Sequence, residues 1–528
     1  LKKKKGGLLL METLQEICNS LGCESDLEKI RIHLDGNFEK YQVYANSLIS
    51  EGGSFFFLAI INDQKRLVIF KESSLYAKFK GSEVSCSSAG VGGEKAKICP
   101  LSHENCQALR ETFPFTNPKS HQGHDITIGL GDRLGLASPG HLRLMKNLKI
   151  FPVLAQQSIR ELNLTGRTYK DVLDAASVAV FQEGYTAGFG ADGDHLKTPP
   201  EVQMALENSF TMITLDCSEH IHNQISGLPA EEIDKHYAEL PIYQRQPYEA
   251  KYLGRDFKLQ DGTIIRFSKP DLQKIILTYV DAVAYTIDIY QNVIKPSGRL
   301  IDFEMSIDET LTSTTPESHY FVASELIDGG VSITSLAPRF CGEFQKGIDY
   351  RGDIQKFTEE FEIHVKIAEH FGYKISVHSG SDKFSVFTII GKLTKGRYHL
   401  KTAGTNWLEA VRIIAVKAPS LYREMHQFAL IHLDEAKRYY HIGANPSVIP
   451  ELSELSDNEL PSLMEQDDAR QALHITYGLI LQAKNSDGTY LFKNRIYQVL
   501  SQYESDYYEA LQKHIGKHLE LLGIPVSR

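Results

Sequence analysis

The sequence predicts an α/β protein built around a (β/α)8 barrel of the TIM type, and three observations carry that expectation. From His121 onward, short apolar runs end in polar clusters and are separated by helical periodicity, the pattern of parallel strands joined by crossover helices. Eight such runs occur, most of them roughly 25–40 residues apart, which suits a closed barrel better than an open sheet. The residues that follow the runs are polar and charged, as expected where such barrels place their chemistry.

Taken in order, residues 1–120 read as a small α/β domain. A helix-like start (Leu14, Ile17, Leu21) precedes the β-rich runs Phe55 to Ile61 and Arg66 to Phe70, with the polar loop Asn62-Asp63-Gln64-Lys65 between them as a hairpin. The leading Leu1 to Leu10 is too short in apolar residues for a signal peptide, and Met11 is expected to be the natural start. The barrel occupies 121–420. Its expected strands are Ile126 to Leu130, Ile150 to Leu154, Ala187 to Ala191, Met212 to Leu215, Leu300 to Phe303, Ile333 to Leu336, Lys374 to Val377 and Tyr398 to Leu400. The long gap between the fourth and fifth implies an insertion at 222–298, with a hairpin around Asp261-Gly262 and an amphipathic helix from about Asp271 to Tyr290. Residues 421–528 read as helical, with an acidic linker near Glu451 to Asp468 and a last helix over Ile496 to Leu522.

Composition narrows the function. The 528 residues are 42% apolar and 23% charged, enough to build a large core, and the net charge of −10 gives no general attraction for nucleic acid or anionic membrane. Nowhere do about 18 uninterrupted apolar residues occur, so no membrane span is expected. Seven cysteines without a CxxC pair suit a reducing cytoplasm, and the spacing of Cys86, Cys99 and Cys106 matches no tetrahedral zinc pattern.

The strand ends carry the candidate site. The first is followed by Gly131-Asp132-Arg133, the second by Gln156-Gln157 and the third by Asp192 to Lys197. The fifth ends in Glu304 with Asp308-Glu309 beyond, the sixth leads to Arg339, the seventh to His378 and the eighth to Lys401. Asp132 serves equally as a helix-start residue or a ligand group, whereas Arg133 suits an anionic substrate. Gly129, Gly131 and Gly135 do not have the dinucleotide spacing. His195 and His378, on one face beside several carboxylates, point to a divalent cation. Glu304 follows Phe303, where partial desolvation suits a working acid or base.

The longer words at these positions are Gly129-Leu-Gly-Asp-Arg-Leu-Gly135, Ala155-Gln-Gln-Ser158, Gly190-Ala-Asp-Gly-Asp-His-Leu-Lys197, Phe303-Glu-Met-Ser-Ile-Asp-Glu-Thr310, Gly342-Glu-Phe-Gln-Lys346 and His378-Ser-Gly-Ser-Asp-Lys-Phe384. In these the sequence resembles the tagaturonate epimerase family, bacterial enzymes of hexuronate catabolism that interconvert D-tagaturonate and D-fructuronate with a divalent metal. The resemblance implies Asp194 as proton acceptor, Glu304 as proton donor, and His195, Gln345 and His378 as metal ligands. Such a ligand set is borderline in hardness and suits Mn, Co, Ni or Zn. The two sugars differ at C4, which is β to the C2 ketone and so carries no acidified C–H. Retro-aldol cleavage of C3–C4 is therefore the expected route. Asp132, Arg133, Gln157, Lys197, Arg339 and Lys401 are the expected substrate-binding residues, with the basic four as alternatives for the carboxylate. A non-catalytic sugar-acid-binding barrel, an isomerase acting at C1 and C2, and side activity on neutral ketoses such as fructose stay open at this point.

Overall fold

The computed structural model describes residue 16 and residues 26–86, 94–440 and 442–526. The helix-like start at Leu14, Ile17 and Leu21 lies outside the described residues. Two compact units emerge: the chain up to Pro118 together with Lys170–Gly188, and Lys119–Tyr169 together with Phe189 onward.

The first unit is a five-stranded antiparallel sheet, ordered β1 (Val43–Glu51), β2 (Ser54–Ile61), β3 (Gln64–Phe70), β5 (Glu94–Pro100) and β4 (Ser82–Cys86). Asn62 and Asp63, both at positive φ, make the two-residue turn between β2 and β3 that the polar loop predicts. Apolar side chains fill both faces. Phe56, Leu58, Leu67 and Ile69 pack with Phe113 and Phe181 on one, while Phe57, Ala59 and Val68 pack with Ile30 and Leu34 on the other. Burial on both faces explains why β2 reads as an unbroken apolar run rather than an alternating one. The helix Tyr169–Gln182 belongs to this unit, held by Asp174 at 2.7 Å from Arg110, although it lies in sequence between two barrel strands. Cys99 and Cys106 sit in the apolar packing as ordinary buried thiols, both pushed up to about 12 by burial.

The second unit is the closed parallel barrel: β6 (Ile126–Leu130), β7 (Phe151–Ser158), β8 (Gly190–Leu196), β9 (Met212–Asp216), β12 (Asp302–Ile307), β13 (Ser335–Pro338), β14 (Lys374–Val377) and β15 (Tyr398–Thr402), with β15 closing on β6. All eight expected strands are present, but several run further into polar sequence than the apolar runs suggest. The third is the largest correction: Asp192, Gly193, Asp194 and His195 lie inside β8, not beyond it. The cause is that the barrel interior is polar. Hydrogen bonds across the axis join Thr214 to Asp192 and Glu304, and Lys401 to Asp192 and Asp194. The alternating partners Phe303, Met305, Ile213, Leu215, Ile375 and Val377 are apolar and fully buried, leaving them to face the helices.

The insertion holds the expected hairpin, β10 (Asp256–Lys258) with β11 (Ile264–Arg266), and the long helix Lys269–Ile289. Two C-terminal expectations change. The acidic stretch from Glu451 is no linker but a set of tight turns that buries Leu460, Leu463 and Met464. The last helix is two, Lys493–Gln502 and Glu504–Leu521, broken at Tyr503, whose φ of −114 and ψ of 39 leave the helical region. No described helix is long and apolar enough to cross a membrane.

Candidate active site

At the C-terminal mouth of the barrel, β8 bulges between Gly193 and Leu196, and His195 takes a left-handed φ of 51. A non-glycine residue there is strained, and the bulge sends Asp194 and its neighbour His195 to the cleft together. Asp194 is 7% exposed, with Oδ1 2.7 Å from Lys401 Nζ. Burial pushes its carboxyl up, but Lys401, His195 and His378 outweigh burial and hold it well below the usual carboxylate range. Asp192, two residues back and sealed from solvent, shares Lys401 at 2.7 Å and is pushed up by burial to about 6. Lys401 also stands 3.1 Å from Glu304 Oε1. One ammonium thus serves three buried carboxylates and, despite burial, is held well above its ordinary pKa. Its ion-pair contacts are with these three carboxylates.

Glu304 does not line the cleft. It is fully buried, accepts from Ser335, Thr214 and Lys401, and is 2.6 Å from His378 Nε2. The other nitrogen of that imidazole, Nδ1, is 3.1 Å from Asp308 Oδ1. A ring held by a buried carboxylate on one nitrogen presents the other in a fixed orientation, the arrangement that sets a ligating histidine. The His195 and His378 rings meet edge to face with centroids 5.0 Å apart. His195, His378 and Asp308 bring three ligand atoms within 4.8 Å of one another, and Asp216 and Glu309 form a second such group with His195. His195 Nδ1 has no hydrogen-bond partner. Burial opposes charge on His195, yet Asp194 and the carboxylates around it lift the imidazole to about 10. This corner demands positive charge, and a divalent cation fits it in place of the imidazole protons.

The remaining expected residues separate. Asp132 accepts from the N–H groups of Leu134, Gly135, Ala137 and Ser138, which makes it the organiser of the loop after β6. Arg133 and Lys401 line the cleft. Lys197 is engaged by Ser218, Asp216 and Glu219, and Arg339 donates to the carbonyl of Thr310; neither lines it. Gln157 is buried away from the cleft, whereas Gln156 lines it. The Gln345 amide is engaged: its Oε1 accepts from the Gly443 N–H and Gln471 Nε2, both at 2.9 Å, and its Nε2 donates to Glu343. Gly129 finds its reason here, because a Cβ would fall 1.6 Å from Gln156 Oε1.

Asp308 and Glu309, placed after the fifth strand by the sequence, line the cleft, but as candidate ligands they went unassigned. Sequence reasoning gave no role to Lys346, in the loop after β13, or to Arg160, in the first turn of the helix Ile159–Thr165 after β7, and both line the cleft. Tyr440 and His474 come from the C-terminal region and carry no local signature; His474 is buried with both ring nitrogens unpartnered. A third cluster lies away from the cleft. Asp382 is 2.7 Å from His514 Nε2 and 3.0 Å from Arg470 Nη2, its N–H donates to His518 Nε2, and His514 Nδ1 is 3.3 Å from Glu409.

With this geometry in view, comparison with known proteins is direct. The family model described as tagaturonate epimerase matches residues 44–522. A tagaturonate/fructuronate epimerase of Thermotoga maritima is 41% identical over 488 residues, covering 91% of this chain and 97% of that protein. The crystal structure of the fructuronate-tagaturonate epimerase UxaE from Cohnella laeviribosi in complex with one glycerol superposes with a TM-score of 0.89 at 51% identity, covering 94% of this chain and all of that one. Its native form gives 0.88 at the same identity, with 94% and 99% covered.

Proposed function

The chain belongs to the tagaturonate epimerase family and is an epimerase interconverting tagaturonate and fructuronate, and from that premise we propose that it inverts C4 by breaking and remaking the C3–C4 bond. The observation that carries the reading is Asp194: an ionised carboxylate on the cleft, fixed by Lys401 and flanked by His195, His378 and Asp308.

Asp194 accepts the proton of the C4 hydroxyl as C4 becomes an aldehyde, the C3–C4 electron pair passing into a C2–C3 enediolate. The aldehyde turns, the pair returns to its other face, and Asp194 gives the proton back to the new C4 oxygen. Lys401 lies between Asp194 and Glu304, so a proton gained by one carboxylate changes the basicity of the other. In this geometry Glu304 acts from below the cleft, through Lys401 and His378, as the partner in proton exchange. His195, His378 and Asp308 would hold a divalent cation, with Gln345 as the further ligand that the family resemblance implies; when bound, it would supply Lewis-acid stabilisation of the charge developing on the ketone side. A cytoplasmic location and activity on neutral ketoses belong to the same proposal, the first supported by the free buried cysteines.

A substrate deuterated at C4 tests the route. Complete retention of the label in the epimer, with no nicotinamide released on denaturing the protein, supports it. Washout of deuterium into solvent overturns it, because only abstraction of the carbon-bound hydrogen by Asp194 gives that result.

A further inference from the structure

The charges lining the cleft are unevenly matched. Lys401 is taken up by its three carboxylates, and Asp308 by His378. Three other cations line the same cleft: Arg133, Arg160 and Lys346. Arg133 is 97% buried, with Nε and Nη2 both on Glu161 Oε1 at 3.0 and 2.9 Å and its guanidinium 3.8 Å over the Tyr477 ring. Its remaining nitrogen, Nη1, is buried with no hydrogen-bond partner. Arg160 lies over the Tyr440 ring at 4.9 Å, and Lys346 Nζ donates to Ser379 Oγ at 2.8 Å. Among the described residues neither Arg160 nor Lys346 has a carboxylate within ion-pair distance. An orphaned guanidinium nitrogen beside two cations that have no carboxylate at ion-pair distance, with Glu161 and Glu309 also on the cleft lining, leaves hydrogen-bonding capacity for one anion, and the aromatic rings beneath the guanidinium groups hold their planes in position.

We propose that Arg133, Arg160 and Lys346 form the subsite for the C6 carboxylate of the substrate and set the preference for uronates over neutral ketoses. This deepens the epimerase reading and rests on it. The subsite comes from three separate segments, the loops after β6 and β13 and the first turn of the helix Ile159–Thr165 after β7, so it closes only in the folded barrel. Arg133 is positioned by Glu161; Arg160 and Lys346, freer of contacts, are the specificity-determining pair.

The test uses the full chain, and measures calorimetric binding of D-gluconate and of its neutral counterpart D-glucitol, alongside turnover of fructuronate and fructose. In Arg160→Met and Lys346→Met the expected result is a tenfold or larger rise in the Kd for gluconate, with weak glucitol binding unmoved. The fall in kcat/KM on fructuronate should lie mainly in KM, and Lys346→Arg should recover much of it. Should Lys346→Met fail to fold, as judged by Tm, Arg160→Lys serves with the two binding measurements. Gluconate affinity unchanged in both methionine variants overturns the subsite. A sugar phosphate that displaces gluconate with higher affinity, and loses that affinity in the same variants, overturns the carboxylate assignment. If wild type fails to convert fructuronate yet gluconate binding is still lost in the variants, the subsite stands and the epimerase reading falls.

Discussion

Two clusters in the second unit are built from the same parts, histidines and buried carboxylates, yet differ in what neutralises them. At the mouth of the barrel, His195, His378 and Asp308 converge with no arginine among them, and His195 Nδ1 makes no hydrogen bond but stands 3.8 Å from Asp216. Beneath the helix Glu504–Leu521, the Asp382 carboxylate is closed by His514 and Arg470, and its backbone N–H is bonded to His518. The first cluster has no arginine; in the second, Arg470 stands 3.0 Å from the Asp382 carboxylate. The difference teaches that titratable side chains at metal-ligand distance do not by themselves make a cation site. A fixed guanidinium in the same position makes the group a fastener instead.

The largest expected effect separates the two directly. His195→Ala or His378→Ala should lower kcat by about 10³-fold, a size typical of losing a positioned acid–base or ligand group, and should remove bound metal measured by elemental analysis. His514→Ala should leave metal content unchanged. Equal metal loss from the second cluster would erase the distinction. Chelation sharpens the same contrast: activity should vanish and return with Mn, Co, Ni or Zn to different degrees, and a fully active metal-free protein would break the mechanism.

Next in size are the cations. Lys401→Met strands Asp192, Asp194 and Glu304, and should cost about 3–5 kcal/mol of stability, the scale for removing one partner of a buried pair, together with activity. Arg470→Leu should cost about 3 kcal/mol on the same footing but keep the metal. Denaturant midpoints compared with metal content decide the matter.

The smallest effect is one of pH. Burial opposes charge at His514, but Asp382 raises it above its ordinary value; His514 and Arg470 in turn hold Asp382 well below the carboxylate range. The histidine's contribution is complete below about pH 6.5 and fades as pH rises through its raised pKa. The carboxylate's is complete above about pH 3.9 and fades as pH falls through its depressed one. The Tm gap between wild type and Asp382→Asn/His514→Gln should therefore be widest between about pH 4 and 6.5. A gap flat across pH would show the cluster to be uncharged.

The sequence made the barrel legible because β-branched and aromatic runs recur at βα spacing, and it made His195, His378 and Asp194 legible because they follow or end those runs. It misplaced the ends of β8 since charged residues read as loop, and nothing local announces that Lys401, on β15, neutralises them in the interior. Gln345 illustrates a second limit. Its motif is clear, but which way its amide turns depends on Gln471, 126 residues away. Arg160, in the first turn of the helix Ile159–Thr165, carries no local signature, and Tyr440 and His474 lay in a region read only as helices.

The bond between Asp382 and His518 spans 136 residues, and this orders events in time. All eight barrel strands have been synthesised once Thr402 is made, yet the loop carrying His378 lacks its outer fastening until the final helix follows. At about 5–20 residues per second the nascent barrel waits roughly ten seconds for it. During that interval the Asp382 N–H has no His518 to donate to.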